Sequence, residues 1–164
     1  MNQSIQFIKA WLYRSLLFAV MLCFSSLSYA QVDVPKLVDG YYELKTPAHL
    51  KLFSSSVNSG SQTINARLVA DIDMSAEGEF VPIGTYGKGY RGYFDGNGHT
   101  IKGLKLPAQN YSGLFGYMDG GRVSNLTLQS PVLYLDNTTV DYAGLVCGHL
   151  SKGSGVVHGV IENC

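Results

Sequence analysis

The residues that decide the fold read Gly92-Tyr-Phe-Asp-Gly-Asn-Gly-His-Thr-Ile-Lys-Gly-Leu-Lys-Leu106, and a similar stretch follows, Gly113-Leu-Phe-Gly-Tyr-Met-Asp-Gly-Gly-Arg-Val-Ser-Asn-Leu-Thr-Leu128. Each stretch opens on a glycine, passes through a glycine-rich turn and ends in alternating apolar residues. A third, looser copy runs from Gly144 to Cys164. Copies spaced by about 22 residues are typical of a solenoid, in which short repeats stack on one another.

The alignment of these copies predicts which residues form the corners and which form the core. Ile101 aligns with Val123 and Leu104 with Leu126, each 22 residues apart. Phe94 aligns with Phe115, so strict alternation along a strand admits only one of Phe94 and Leu114 to the core. The predicted corners are Gly92, Gly96, Gly98, Gly113 and Gly116. The predicted stacked core is Phe94, Ile101, Leu104, Leu114, Val123 and Leu126.

A short helix is predicted before the repeats. Thr46 is a good N-cap, and Pro47 suits the first helical position because its missing N–H would be unpaired there anyway. Leu50, Phe53 and Val57 then fall on one face of the helix. Such a helix would cap the apolar end of the stack and protect it from edge-to-edge association.

The first 30 residues have the pattern of a cleaved signal peptide. Lys9 and Arg14 precede an apolar segment, residues 16–24, that is too short to span a bilayer comfortably, and Ser28-Tyr-Ala30 provides the small residues of a cleavage site. The chain is therefore predicted to be exported to the cell surface or the extracellular space. The mature part, residues 31–164, is predicted to hold the repeats and no membrane span.

Charge and cysteine content narrow the class of protein. The mature part has 10 basic and 12 acidic residues, which disfavours a nucleic-acid partner because such partners attract a basic face. Cys147 and Cys164 remain after cleavage, and an exported protein can oxidise them. Two alternatives stay open for this pair, a disulfide and two buried thiols.

Several motifs together resemble the GLUG-motif repeat proteins, which are secreted and surface proteins of bacteria with adhesin-like members. The resemblance is carried by five segments in this order: Tyr42 through the helix that starts at Thr46-Pro47, Leu68–Asp73, Val81–Gly84, Gly92–Ile101 and Gly113–Gly116. It implies a right-handed parallel β-helix with a surface role, and it carries over no catalytic residue. Cys164 aligns with Leu126, inside a strand of the second copy. We therefore expect the chain to be the N-terminal part of a longer protein with further repeats.

Candidates for catalysis or metal binding are few. Asp71, Asp73 and Asp95 could hold Ca²⁺ if adjacent repeats brought them together, as in β-helical enzymes that act on polysaccharides. The simpler interpretation places Asp73 at a strand end and Asp95 in a turn, each bonded to its own backbone. Cys147 and His149 share a strand face, but no orienting third group is evident. We therefore predict that the chain is not an enzyme and needs no cofactor.

Tyrosines are the best candidates for a binding surface. Tyrosine has an apolar ring and a polar tip, so an exposed row of tyrosines suits a glycan or a protein at a cell surface. The alternative is a stalk that spaces another domain from the surface and binds nothing. The candidate tyrosines are Tyr86, Tyr90, Tyr93, Tyr111, Tyr117, Tyr134 and Tyr142.

Overall fold

A computed structural model describes residues 33–134, 139–153 and 158–164, all within one compact unit, Asp33–Cys164. The predicted signal peptide, residues 1–30, lies outside these ranges. The described helix is α1 (Pro47–Asn58). The described strands are β1 (Lys36–Val38), β2 (Tyr41–Leu44), β3 (Asn65–Leu68), β4 (Ile72–Asp73), β5 (Tyr93–Asp95), β6 (Thr100–Lys102), β7 (Lys105–Leu106), β8 (Phe115–Asp119), β9 (Arg122–Ser124), β10 (Thr127–Gln129), β11 (Val132–Leu133), β12 (Cys147–Ser151) and β13 (Val160–Glu162).

These strands pair into four sheets. The largest has six strands in the order β1-β2-β3-β5-β9-β13, and it is mixed because β1 runs antiparallel to β2 while the other pairs are parallel. A three-stranded sheet has the order β10-β6-β4. Two further sheets have two strands each, β11-β7 and β12-β8. All pairs in the three smaller sheets are parallel.

The prediction of a right-handed parallel β-helix is wrong. Such a fold needs sheets that are parallel throughout, whereas the largest sheet here is mixed. The antiparallel pair arises at Asp39-Gly40, where both residues have positive φ, 50° and 80°. An Asp-Gly pair between two strands is a strong signal for a tight hairpin. The prediction of a wholly parallel fold left this signal out, and this hairpin is what makes the sheet mixed.

The pairing of the repeats also differs from the predicted spacing. Val123 lies opposite Phe94 and Ile101 lies opposite Leu128, so Ile101 and Val123 are not partners. The alignment of the third copy with the second agrees with the structure at one pair of residues, because Ile161 lies opposite Val123. The repeated segments are thus neighbours in space, but the hydrogen-bond register does not follow the 22-residue spacing of the sequence.

The helix predicted at Thr46-Pro47 is present as α1. The Thr46 side chain accepts a hydrogen bond from the His49 N–H at 3.2 Å, and Pro47 is the first residue of the helix. Its buried face includes Phe53, whose ring contacts the rings of two core residues further along the chain. Helix α1 has 12 residues, and no helix in the described ranges is long and apolar enough to cross a membrane.

The core lies between the sheets and α1. All six residues predicted to stack inside are at most 1% exposed. Phe94 and Leu114 are both fully buried, so the expectation that only one of them could be inside is wrong. Leu114 lies in the bend before β8 rather than in the strand, so the alternation of a pleated strand does not apply to it. Four aromatic rings form the centre of the core: Phe53, Tyr90, Phe94 and Phe115.

Of the five predicted corner glycines, only Gly98 has a positive φ, 78°. It follows Asn97, which also has a positive φ, 52°, so the Asp-Gly-Asn-Gly segment forms the expected turn. The other four are needed for close packing, since a Cβ atom on any of them would lie within 2.7 Å of a backbone atom. These four are Gly92, Gly96, Gly113 and Gly116.

Candidate functional site: a cluster of aromatic side chains

Five aromatic side chains from distant parts of the chain meet on one surface. Two lie on paired strands, because Tyr117 in β8 is directly opposite His149 in β12. The other three come from turns and loops that flank these strands. We call the whole set the aromatic cluster, and its members are Tyr86, Tyr111, Tyr117, Tyr142 and His149.

Three tyrosines of the cluster form a stacked column. The ring centroids of Tyr86 and Tyr111 are 5.7 Å apart with an interplanar angle of 19°. Those of Tyr111 and Tyr142 are 5.2 Å apart with an angle of 5°. Offset stacking of this kind stabilises beyond the burial of apolar area. Tyr111 is the middle ring, so both of its faces are covered by its neighbours.

A second, shorter column packs against the first through ring edges. Tyr117 and His149 stack at 4.8 Å with an interplanar angle of 19°. Both rings then meet Tyr111 edge-on, at 5.5 Å for Tyr117 and 6.0 Å for His149. Edge-to-face contacts are favourable because the positive ring edge meets the negative ring face. The two columns therefore hold each other in fixed orientations.

The backbone brings these rings together through close approaches that only glycine allows. A Cβ atom on Gly116 would lie 2.6 Å from the backbone oxygen of Tyr111. A Cβ atom on Gly84 would lie 2.3 Å from the backbone oxygen of Tyr117. On the far side, the N–H of Tyr111 donates to the carbonyl oxygen of Tyr142 at 2.9 Å. The stacked rings thus belong to segments that are already in backbone contact.

The two ends of the tyrosine column are open to solvent. Tyr86 is 73% exposed and Tyr142 is 42% exposed, whereas Tyr111 is half-buried between them. Partial burial raises the pKa of Tyr111 above its usual range, and the neighbouring tyrosines and Asp141 act in the same direction. The Tyr111 phenol is therefore neutral near pH 7 and can both donate and accept hydrogen bonds.

The remaining candidate tyrosines lie elsewhere. Tyr90 is fully buried and donates a hydrogen bond from its hydroxyl to the Ile64 oxygen at 3.0 Å, so it is a core residue. Tyr93 lies on β5, where its hydroxyl is 2.7 Å from Ser124 Oγ. Tyr134 is 57% exposed and follows β11. The structure therefore brings together four of the seven candidates and adds one residue that sequence reasoning did not include, His149.

A signal for His149 was present in the sequence. Cys147 follows Gly144 by three residues, as Gly116 follows Gly113, so an alignment on these glycines sets Cys147 against Gly116. In the structure Cys147 pairs with Phe115 instead. Shifting the third copy by one position places His149 opposite Tyr117, and this shift would have revealed the stacked pair.

The three candidate metal ligands accept hydrogen bonds from backbone N–H groups. Asp73 Oδ1 accepts the Ser75 N–H at 2.9 Å, and Asp95 Oδ1 accepts the Asn97 N–H at 2.9 Å. These are the turns in which an aspartate bonds the backbone two residues on. Asp71 instead accepts the Thr100 N–H at 2.9 Å. This bond lowers the pKa of Asp71, with a further contribution from His99.

Among the residues that the structure describes, no three His, Cys, Asp or Glu side chains gather to hold a metal ion. The histidine that contacts Asp71, His99, places its Nδ1 3.1 Å from the carboxylate. Asp73 has Lys102 as its charged neighbour at 3.9 Å. The three aspartates therefore have separate partners, and the arrangement does not form a common oxygen site.

The outer face of the six-stranded sheet carries ion pairs rather than an open binding site. Arg67 donates to Glu43 Oε1 at 2.6 Å across β2 and β3, and Arg122 pairs with Glu162 across β9 and β13. Arg122 also lies over the Tyr93 ring, with 5.3 Å between the guanidinium carbon and the ring centroid. These exposed pairs contribute little to stability individually, and they leave each charge already paired.

Cys147 and Cys164 are free thiols, so the structure does not contain the disulfide alternative. The alternative of two buried thiols is also wrong, because Cys164 is exposed. Cys147 lies on β12, in the sheet with β8, whereas Cys164 follows β13, which belongs to the six-stranded sheet. Burial raises the pKa of the Cys147 thiol to about 11. Its Sγ donates to the backbone oxygen of His149 at 3.2 Å, so it does not form a thiolate–imidazole pair for catalysis.

The elevated pKa of Cys147 predicts slow thiol chemistry. At pH 8 its thiolate fraction is on the order of a hundredfold below that of an ordinary cysteine. We expect iodoacetamide to label the exposed Cys164 at least about tenfold faster than Cys147, measured per residue by peptide mass spectrometry. The difference should vanish in denaturant. Equal rates in the folded protein would contradict the burial of Cys147, and no labelling of either residue would indicate a disulfide.

Comparison of the chain with protein-family models, with curated proteins and with solved structures found no match. Membership of the GLUG-motif family therefore stays a prediction from the residues quoted above.

Proposed function

We propose that this chain is the binding part of an exported surface protein, and that the aromatic cluster binds a glycan without catalysing a reaction. The observation that carries the proposal is the stacked column of three tyrosines with an exposed ring at each end. The signal-peptide features at the N-terminus support an exported role.

The exposed ends of the column provide rigid ring faces. The inner faces of Tyr86 and Tyr142 are covered by Tyr111, which leaves their outer faces for a ligand. Each ring is held by its stack, so little side-chain freedom is lost when a ligand binds. Preorganisation of this kind raises affinity by lowering the entropic cost of binding.

The chemistry of the cluster favours a glycan. A pyranose ring has an apolar face that can lie on a tyrosine ring, and its hydroxyls can bond the phenol at the ring edge. Aromatic stacking would also suit a nucleobase, but nucleic-acid sites need a positive field along the backbone. The part of the chain after residue 30 has 10 basic and 12 acidic residues, which does not supply one.

The proposal predicts that the two terminal rings control binding. Replacing Tyr86 or Tyr142 by alanine should lower the affinity for an immobilised glycan panel by about tenfold or more, as expected for an aromatic hot spot. Tyr134→Ala is the matched control, because this tyrosine is 57% exposed and lies outside the cluster. Circular dichroism would confirm that all three variants keep the fold.

A stalk is the second candidate, and one observation favours it. Most ring faces in the aromatic cluster are used for packing, so the cluster could serve stability alone. In that case Tyr86→Ala and Tyr142→Ala would lower the melting temperature while attachment to cells and glycans stays at the level of the Tyr134→Ala control. If the chain binds a cell-surface protein but no glycan, the binding role stands and the proposed ligand class, a glycan, is wrong.

A further inference from the structure

We propose that a groove beside α1 holds one unit of a neutral oligosaccharide whose next unit stacks on Tyr86. This inference rests on the proposed function and extends it to a second subsite and to a class of ligand. The groove lies between the C-terminal half of α1 and residues 79–81, and we call it the helix groove. Its wall includes Lys51, Ser55, Asn58, Ser59, Glu79 and Val81.

The size of the helix groove suits a small ligand. Its volume is about 490 Å³, within the range of about 300–1,000 Å³ usual for small-molecule sites. Val81 is 65% exposed and gives the groove an apolar wall, and Phe80 is buried beneath it. An apolar wall of this kind can face the carbon side of a sugar ring, as the ring of an aromatic residue does.

Buried hydrogen bonds preform the groove. Ser54 is 1% exposed, and its hydroxyl donates to the Val81 oxygen at 2.7 Å. Asn58 Nδ2 donates to the Pro82 oxygen at 3.0 Å. These bonds tie the segment opposite the helix to α1 at two points. The walls therefore keep their spacing without a ligand, which lowers the entropic cost of binding.

The polar groups of the groove are suited to sugar hydroxyls. Ser55 and Ser59 are exposed, and neither hydroxyl has a hydrogen-bond partner among the described residues. A serine hydroxyl can both donate and accept, as a sugar hydroxyl can. The carboxylate of Glu79 adds an acceptor, and no ion pair occupies it within the described ranges.

The charge of the groove favours a neutral sugar over an acidic one. Lys51 provides the one ammonium that described residues place on its wall, and this ammonium is already paired with Glu77. Glu79 presents a negative charge on the same wall. A uronate or sialate in the groove would therefore face a carboxylate without a free cation, and like charges at short range are unfavourable.

The helix groove is joined to the aromatic cluster through Asn58. Asn58 Oδ1 accepts the Gly84 N–H at 2.8 Å, and the Asn58 backbone oxygen accepts from Lys88 Nζ at 3.3 Å. Gly84 and Lys88 bracket Tyr86, in a turn closed by backbone bonds between Thr85 and Lys88. Asn58, on the groove wall, thus forms hydrogen bonds to residues on both sides of Tyr86. A chain of linked sugars could occupy both places.

A second groove of about 350 Å³ lies on the other side of α1 and serves as an internal comparison. Its walls are mainly apolar, with residues such as Leu52, Phe53 and Ile64, and Ser56 is on its edge. Among the described residues, no carboxylate or ammonium lies on its wall. Ser55 and Ser56 are adjacent and both exposed, but Ser55 lines the helix groove and Ser56 lines the second groove. A substitution at each serine therefore affects a different groove.

The test measures binding of maltotriose, cellotriose, chitotriose and the anionic sialyllactose to the full chain by titration calorimetry. Ser55→Tyr fills the helix groove from an exposed helix position and should weaken binding of the preferred neutral trisaccharide by about tenfold or more. Ser56→Tyr, the matched control, should leave the affinity within about twofold. Amide chemical-shift changes at Ser55, Ser59 and Val81 on adding that trisaccharide give a second readout that needs no variant.

The outcomes distinguish the proposed function, glycan binding at the aromatic cluster, from the additional subsite in the helix groove. If Tyr86→Ala weakens binding while Ser55→Tyr does not, the helix groove is no subsite and the proposed function stands. If sialyllactose binds best, the neutral class is wrong. If the wild-type chain binds none of the four saccharides, the glycan proposal and the groove subsite both fall.

Discussion

Replacing Phe115 by alanine is expected to lower the free energy of unfolding by about 3–5 kcal/mol, the usual cost of truncating a buried phenylalanine. Phe115 is fully buried at the start of β8. Its ring stacks on Tyr90 with 5.3 Å between centroids and meets Phe94 edge-on at the same distance. Alanine would remove both contacts and leave a cavity that the paired strands cannot close.

Urea unfolding followed by circular dichroism would measure this loss. Phe115→Leu is the graded control, because it keeps most of the volume and should cost about 1.5 kcal/mol or less. Tyr134→Ala, at an exposed site, should change stability by about 0.5 kcal/mol or less. A loss below about 1 kcal/mol for Phe115→Ala would show that the aromatic centre of the core is not packed as described.

Replacing Gly92 by alanine is expected to cost about 3 kcal/mol, at the upper end for overpacking a core. A Cβ atom here would lie 2.3 Å from the backbone oxygen of Ile64 and 2.8 Å from the Tyr90 hydroxyl. That hydroxyl bonds the same Ile64 oxygen, so one methyl group would disturb both partners of a buried hydrogen bond. Backbone atoms cannot move aside as the end of a flexible side chain can.

Gly78→Ala is the matched control for Gly92→Ala. No heavy atom lies within 4 Å of the place where its Cβ would be, and its φ is not in the left-handed region. This change should be neutral or slightly stabilising, because alanine restricts the unfolded chain. Comparison of the two melting curves isolates close packing from the general effect of removing a glycine. Equal curves would refute the close approach of Gly92, the residue before β5, to Ile64, the residue before β3.

The sequence predicts those features of the fold that depend only on residues close together in the chain. The Thr46-Pro47 helix start, the turns of Asp73 and Asp95, and the positive φ of Asn97 and Gly98 each depend on neighbours within a few residues. The Asp39-Gly40 hairpin also depends only on neighbouring residues, although its Asp-Gly signal is not among the sequence-based predictions above. Recognising it would have excluded a wholly parallel fold.

The strand register could not be read from the repeats. The two copies match best at 22 residues, yet Val123 pairs with Phe94 and Ile101 with Leu128. A shift of register exchanges which residues face the core, so the register is decided by the packing of the whole core. Phe53 from α1 contacts Phe94, and no alignment of the repeats includes that helix contact.

The sequence indicates that exposed tyrosines are candidates for a binding surface, but it does not indicate which of them lie together. The members of the aromatic cluster are separated by up to 63 positions, from Tyr86 to His149, without a period. Parallel pairing of β8 with β12 brings Tyr117 to His149, and backbone bonds bring Tyr111 to Tyr142. A one-position error in aligning the third copy was enough to hide the histidine.

The parallel pairing of distant strands has a kinetic consequence. Val123 finds one partner at Phe94 and the other at Ile161, and neither is a near neighbour in the sequence. Long loops must close before such contacts stabilise the chain, so folds rich in them form slowly compared with helical proteins of similar size. During that interval the strand edges stay unpaired. Apart from the β1–β2 hairpin and α1, the described chain has few local structures that can form early.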